Sequence, residues 1–399
     1  MSSYIDKIND PFVDKYGNNL ILLIDLVIIM SKIASIEKIT EEKVSQQVFP
    51  YTKPTDYYKE MIGEVSPAEA AMITNIVFVK MRTENGTESI ISVTEPVWNY
   101  LDGIRKYVKL FDVSEISKAW DFLYRITLPN GRSGLALHAI SAINLLMYDA
   151  YAKEIGVPVY NLIGGSTRHE IRAYASHLHP DKEENLEAEA RGYLEEGYTD
   201  MKMRFIASPS DPYAVEKNLQ LVKVIRDVVG YSVNLAGDFW MSLNYNFAYK
   251  MIRALEKYEL AWIEEPLLPD DFEGYARLTR KVEIPISAGE HHYHVFDFKR
   301  LLDAGVTILQ PDATWVGGIT PMKKIAGLAE SYGAQVIPHA GNIYNLHFIA
   351  SEPEAITPMA EYLTRYRDWM EHHIVDVPKP VKARFTLGKD AGFGIRYDL

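Results

Sequence analysis

The 399-residue sequence contains no cysteine. That absence removes disulfides, zinc–thiolate centres, iron–sulfur clusters and cysteine nucleophiles from its chemistry, and a cytoplasmic location is expected. Basic residues are also in deficit: 42 Lys and Arg stand against 54 Asp and Glu, a formal charge of −12, with no Lys/Arg-rich block. A chain so charged is poorly suited to nucleic acid or an anionic membrane. Long apolar runs are lacking too. Residues 20–30 read LILLIDLVIIM, but the run is broken by Asp25 and is shorter than the roughly 20 residues a bilayer crossing needs. Asp6, Asp10 and Asp14 mix with Lys7 and Lys15 before it, so the basic start of a secretory leader is missing. A packed helix or strand is expected there.

What is present is an ordinary globular composition, 47% hydrophobic and 24% charged, in a chain long enough for two domains. Residues 75–81 (NIVFVKM) and 89–93 (SIISV) flank Glu84-Asn85-Gly86, a strong hairpin signal. Residues 97–155 read as helices, with Ile140, Ile143, Leu146 and Met147 at helical spacing. Beyond Gly164-Gly165 the texture becomes short apolar strand, then amphipathic helix. Strand ends are expected near Ala175, Arg204, Asp238, Glu264, Glu290, Asp312, His339 and Glu361. Eight such units imply parallel strands closed into a barrel. The expected division is an extension at 1–29, an α+β capping domain at 30–158, the barrel at 159–365, and a return to the capping domain at 366–399.

A barrel places its chemistry at the C-terminal ends of its strands. Asp238, Glu264 and Glu290 each end an apolar strand, and they stand 26 residues apart. Three carboxylates converging on one point need a cation between them, and oxygen-only ligands favour Mg2+. Asp312 and His339, 27 residues apart, follow on neighbouring strands. A carboxylate on one imidazole nitrogen fixes the tautomer and makes the histidine a capable general base. Lys202 and Arg204 alternate onto one strand face, where two cations suit an anionic substrate or pair with the metal carboxylates. Lys202 alone would also serve a Schiff-base aldolase, a rival of a different class.

The motifs YDAYAKEIGVPVYNLIGG, GDFWMSLNYNFA, WIEEPLLPDDFEGY, SAGEHH, QPDATWVGGIT and PHAGNIYNLH resemble the mandelate-racemase-like branch of the enolase superfamily. Within that branch the likeness is greatest to the L-rhamnonate dehydratase group. The resemblance implies a modified (β/α)7β TIM-like barrel under an α+β cap. It implies Mg2+ on Asp238, Glu264 and Glu290, His339 as base, Asp312 as its orienting carboxylate, and Glu361 as the glutamate that stabilises an enolate. The second family base, a lysine, is replaced by Arg204, which favours dehydration through one histidine over racemisation. The implied reaction is loss of the C3 hydroxyl from a sugar acid to give a 2-keto-3-deoxy acid. D-arabinonate and D-gluconate dehydratases, and racemases, epimerases and cycloisomerases, share the scaffold. Tyr51 and Lys53, in an aromatic, proline-rich loop, are expected to reach the distal substrate carbons, with Arg204 and His291 also in contact. The expected partner is a small sugar acid, and a homo-oligomer is expected.

Overall fold

The computed structural model describes residues 31–45, 51–58, 61, 73–178, 182–364, 373–375 and 377–399. The apolar run at 20–30, with the whole extension at 1–29, lies outside these, as do Phe49 and Pro50 of the aromatic loop and residues 366–372.

The hairpin signal is realised in a three-stranded antiparallel sheet. Strand β1 (Ile33–Ser45) pairs with β2 (Ile73–Thr83), and β2 with β3 (Glu88–Thr94). Gly86 turns the chain at φ 86°. Three helices follow: α1 (Glu95–Ile104), α2 (Ile116–Thr127) and α3 (Leu135–Glu154). The small and branched residues of α3 (Ala139, Ile140, Ala142, Ile143, Leu146, Met147) are all buried. Each large apolar side chain here contributes roughly 1.5–3 kcal/mol relative to exposure. A helix buried nearly all round belongs in an interior, and α3 packs on the sheet, on α1 and α2, and on the barrel helix α9 described below.

The barrel has eight parallel strands: β4 (Glu170–Leu178), β5 (Asp200–Arg204), β6 (Asn234–Asp238), β7 (Ile263–Glu264), β8 (Ile286–Ala288), β9 (Ile308–Leu309), β10 (Gln335–Val336) and β11 (Ala360–Leu363). They pair in order from β10 down to β4, and β11 lies against the other edge of β4. Seven helices alternate with them: α4 (Glu183–Glu195), α5 (Ala214–Val229), α6 (Tyr245–Leu255), α7 (Phe272–Thr279), α8 (His294–Asp303), α9 (Ile319–Ser331) and α10 (Ile343–Ser351). This is the (β/α)7β arrangement. The two ends of the strand order are drawn together where Val336 N–H donates to Ile356 O at 2.7 Å.

Several strands are only two or three residues long because proline follows them. Pro266, Pro311 and Pro338 have no N–H for the ladder. The chain therefore leaves the sheet early after β9 and β10, and Asp312 and His339 stand three residues beyond them; Glu290 stands two residues beyond β8, past Gly289. Asn244, Asp271 and Asn342 then start α6, α7 and α10 by accepting backbone N–H bonds at 3.0, 2.8 and 3.0 Å.

The motif around Trp315-Val316-Gly317-Gly318 is the seam between cap and barrel. Trp120 Nε1 donates to Gly317 O at 2.7 Å, and Gly317 N–H to Ser141 Oγ at 2.8 Å. Asn144 Nδ2 donates to Thr320 Oγ1 at 2.9 Å, and Thr320 N–H returns a bond to Asn144 Oδ1 at 3.3 Å. The C-terminal residues complete the join: Phe393 N–H donates to Asp149 Oδ1 of α3, and Arg384–Thr386 pairs with the start of β4.

Candidate active site at the barrel mouth

Alternation along β5 buries Met201 and Met203 in the core and sends Lys202 and Arg204 to the other face. Lys202 Nζ lies 2.7 Å from Glu264 Oε2, 2.8 Å from Glu361 Oε1 and 3.5 Å from Asp238 Oδ2. Arg204 Nη1 lies 2.8 Å from Asp238 Oδ2. The sequence left open whether these cations meet a substrate or the metal carboxylates; they meet the carboxylates. Burial alone would lower the Lys202 pKa, but Glu264 and Glu361 outweigh it and raise it. Glu361 is buried, which favours its acid form, yet Lys202 and His339 hold it down to about 2. It is therefore ionised and accepts from Ala340 N–H at 2.6 Å. Burial pushes Glu264 up despite Lys202, with Asp238 and Glu361 adding to the rise.

Asp312 and His339 meet as their spacing implies, Nδ1 to Oδ2 at 3.0 Å. Asp312 is fixed in turn. Its Oδ1 accepts from Thr314 N–H and Oγ1, both at 2.7 Å, and from Asn342 Nδ2 at 3.2 Å. Asn345 Nδ2 holds the His339 carbonyl at 2.6 Å. The other imidazole nitrogen, Nε2, is 3.3 Å from Glu290 Oε1. Burial opposes a charged His339, but Glu290, Asp312 and Glu361 outweigh it and raise the pKa to about 10.

Of the three expected metal ligands, Asp238 and Glu264 thus share Lys202, whereas Glu290 faces the histidines. All three act electrostatically on Arg204. Glu290 Oε2 is buried and takes no hydrogen bond among the described residues. Glu265, Glu290 and His291 form an overlapping group with ligand atoms within 4.8 Å of one another. Two of its members are already paired, His291 Nδ1 to Glu265 Oε2 at 2.7 Å. Burial lowers His291, but Glu265 and Glu290 raise it to about 9. His292 turns away to the Pro269 carbonyl.

The Tyr51–Lys53 loop does reach the barrel. Thr52 N–H donates to Phe205 O at 2.8 Å and its Oγ1 to Phe239 O at 3.2 Å. Tyr51 stands edge-on to Trp240 at 5.6 Å, with the Arg204 guanidinium 5.0 Å from its ring centre and Lys53 Nζ at 5.1 Å. From Tyr51 the aromatic wall continues through Trp240, His291 and Trp315 to His339. Sequence reasoning did not single out Glu265, Gln310 (which donates to Glu264 Oε2 at 2.7 Å), Thr314, Asn342 or Asn345. The signal for Asn342 was available, since an Asn opening a helix is a cap. Four rim residues past β6, β7 and β10 adopt left-handed backbone without being glycine: Trp240 (φ 44°), Met241 (63°), Glu265 (37°) and Ala340 (71°).

Fold and rim together define an enzyme of the barrel type with a carboxylate-rich mouth. The family model described as Enolase C-terminal domain-like matches residues 185–399, and that of the mandelate racemase / muconate lactonizing enzyme N-terminal domain matches 65–164. The chain belongs to the enolase superfamily, in its mandelate racemase/muconate lactonizing enzyme branch. An L-rhamnonate dehydratase of Saccharopolyspora erythraea is 33% identical over 331 residues, 80% of this chain and 82% of that one. The rhamnonate dehydratase structure from Gibberella zeae, complexed with Mg, superposes with TM-score 0.80 at 25% identity, covering 93% of this chain and 95% of that one. The 3,6-anhydro-D-galactonate cycloisomerase of Zobellia galactanivorans gives TM-score 0.76 at 27% identity, covering 92% and 97%. Among the described residues no helix is long and apolar enough to cross a membrane.

Proposed function

We propose that the protein is a Mg2+-dependent dehydratase of a sugar acid, with L-rhamnonate the first candidate. The observation that carries this reading is the Asp312–His339 pair opposite Lys202 and Glu361 on the barrel rim, with one histidine and no second lysine base. The donors fit a hard cation: they are carboxylate oxygens, and Glu290 Oε2 is buried without a hydrogen bond among the described residues. Asp238, Glu264 and Glu290 would hold Mg2+, which supplies positive charge against the enediolate that forms on the substrate carboxylate.

His339 Nε2 takes the C2 proton, and Asp312 holds the ring in the required tautomer. For that step His339 must be neutral, so the Glu290 charge that now raises it must be engaged elsewhere, as metal ligation would do. Lys202, anchored by Glu361 at 2.8 Å, donates to the developing oxyanion. The C3 hydroxyl leaves with the proton returned from His339, and the resulting enol tautomerises to the 2-keto-3-deoxy acid. Tyr51, Lys53, Arg204 and His291 line the remaining space.

The test is a panel of aldonic acids with Mg2+, read by 2-keto acid formation. L-rhamnonate is expected to be turned over, EDTA to abolish the activity and Mg2+ to restore it. Turnover undiminished by EDTA refutes the metal reading. Isomerisation of a panel member without loss of water would assign a racemase or epimerase instead.

A further inference from the structure

A cavity of about 390 Å³ lies between the capping sheet, α3 and the barrel rim. Its walls include Phe78 and Ile91 of the sheet, Leu135 and Ala142 of α3, and Ile343 of α10. None of Lys202, Asp238, Glu264, Glu290, His339 or Glu361 is among its lining residues. The volume falls within the range of about 300–1,000 Å³ of small-molecule sites, which favour domain seams.

Two observations constrain what would fit. The charged side chains of the lining, Glu42 and His373, are paired with each other, so neither is left to attract an ion. His138, also in the wall, is kept neutral by burial, which pushes it down to about 4. Its Nε2 faces the Tyr293 hydroxyl at 3.4 Å. A sugar acid suits such a place badly: its charge would find no counter-charge, and of the polar groups in the wall Ser92 and Tyr344 bond Tyr397 while Thr314 and Asn342 bond Asp312.

We propose that this cavity binds an uncharged, mainly apolar small molecule bearing one hydroxyl or carbonyl group for His138, and that its occupancy acts on catalysis through Thr314 and Asn342. Both residues line the cavity and both donate to Asp312 Oδ1. Trp315 links the two spaces as well: it lines the cavity, stacks on His138 at 5.0 Å and stands 5.7 Å from the His339 ring. An occupant touching Thr314 and Asn342 biases the carboxylate that orients the base, so it is an effector and not a substrate.

The binding part is independent of the dehydratase reading; only the kinetic part rests on it. The probe is the neutral fluorophore 6-propionyl-2-(dimethylamino)naphthalene, which is mainly apolar and carries one carbonyl, titrated into the full chain without substrate. Saturable fluorescence at one probe per chain is expected. Ala142→Phe and Val93→Trp, which fill the cavity from α3 and from β3, should each weaken it at least tenfold with the melting temperature retained. If Ala142→Phe does not fold, Val93→Trp at its half-buried position decides. Saturating probe should change kcat at least twofold in the unsubstituted protein and leave the filled variants unaffected. Absence of saturable binding, or equal affinity in the folded filled variants, overturns the site; cavity-specific binding with unchanged kcat overturns the effector role. Should no sugar acid be turned over, the binding titration still decides the site, so the two failures are distinguishable.

Discussion

Gly318 offers a quantitative test of the seam that ties the cap to the catalytic rim. Its φ is 94°, and an added Cβ would fall 2.1 Å from Asn144 Oδ1 and 2.6 Å from both Asn144 Cβ and Cγ. The whole Asn144 side chain is therefore in the way, and it cannot swing aside without losing its bonds to Thr320. Left-handed backbone costs a residue with a Cβ roughly 1–2 kcal/mol. Overpacking a filled interior adds roughly 1–3 kcal/mol. Gly318→Ala should thus destabilise the protein by about 2–5 kcal/mol, read as a lower urea midpoint with unchanged slope. The steric share can be isolated. In Gly318→Ala/Asn144→Gly the overlapping side chain, Cβ included, is gone, so the pair should be less destabilised than the sum of the singles, by roughly 1–3 kcal/mol. Because the loop to Gly318 begins at Asp312, kcat should fall in the single variant and partly recover in the double. A loss below about 0.5 kcal/mol, the range of an inert surface change, or strictly additive losses, would refute the reasoning.

His339→Asn should abolish both turnover and exchange of the C2 proton with solvent deuterium, with Asp312→Asn slowing both by about 10²–10⁴-fold; exchange at the unsubstituted rate in the His339 variant would shift the base to Lys202. Tyr51→Ala should change the ranking of aldonic acids by roughly 1–3 kcal/mol while leaving Mg2+ affinity as it was, and an unaltered ranking would place selectivity elsewhere on the aromatic wall. His347 is buried and accepts the Tyr160 N–H, and burial pushes its pKa down to about 3. The unfolded chain takes up this proton near pH 6.5 and the folded one does not until about 3, so stability present above 6.5 is lost as the pH falls. Between pH 6.5 and 5 that amounts to about 2 kcal/mol at 1.36 kcal/mol per unit, and urea unfolding of His347→Gln should lack this component.

The sequence was readable where one segment carries its own signal. Asn85-Gly86 announces a turn by itself, and the repeating strand–helix texture announces a parallel barrel. Asp238 and Glu264 were placed on their strands because the apolar run before each continues to the carboxylate. The strands before Glu290, Asp312 and His339 were read two or three residues too long, because glycine or proline releases the chain ahead of these side chains. Gly289 is such a case: a Cβ there would lie 2.5 Å from Gln310 N. What no local pattern could reveal is which charges meet across the ring. Lys202 at the centre of Glu264, Glu361 and Asp238 is a contact among four strands, with no spacing to betray it. Glu265 and Gln310 were overlooked for the same reason, since each matters only through a side chain from another strand.

The left-handed residues of the rim bear on how this protein can change. Trp240, Met241, Glu265 and Ala340 each hold a backbone shape that their side chains disfavour, at a cost of order 1–3 kcal/mol apiece. That cost falls on the loops where selection acts on chemistry. Replacing Ala340 by glycine would relieve the backbone, yet it would also loosen the N–H that grips Glu361. Variants chosen only for heat resistance should therefore accumulate at this rim and erode turnover as they do. Variants chosen for a new substrate will find the same loops already distorted, held in place by the helices behind them and free to exchange one side chain for another.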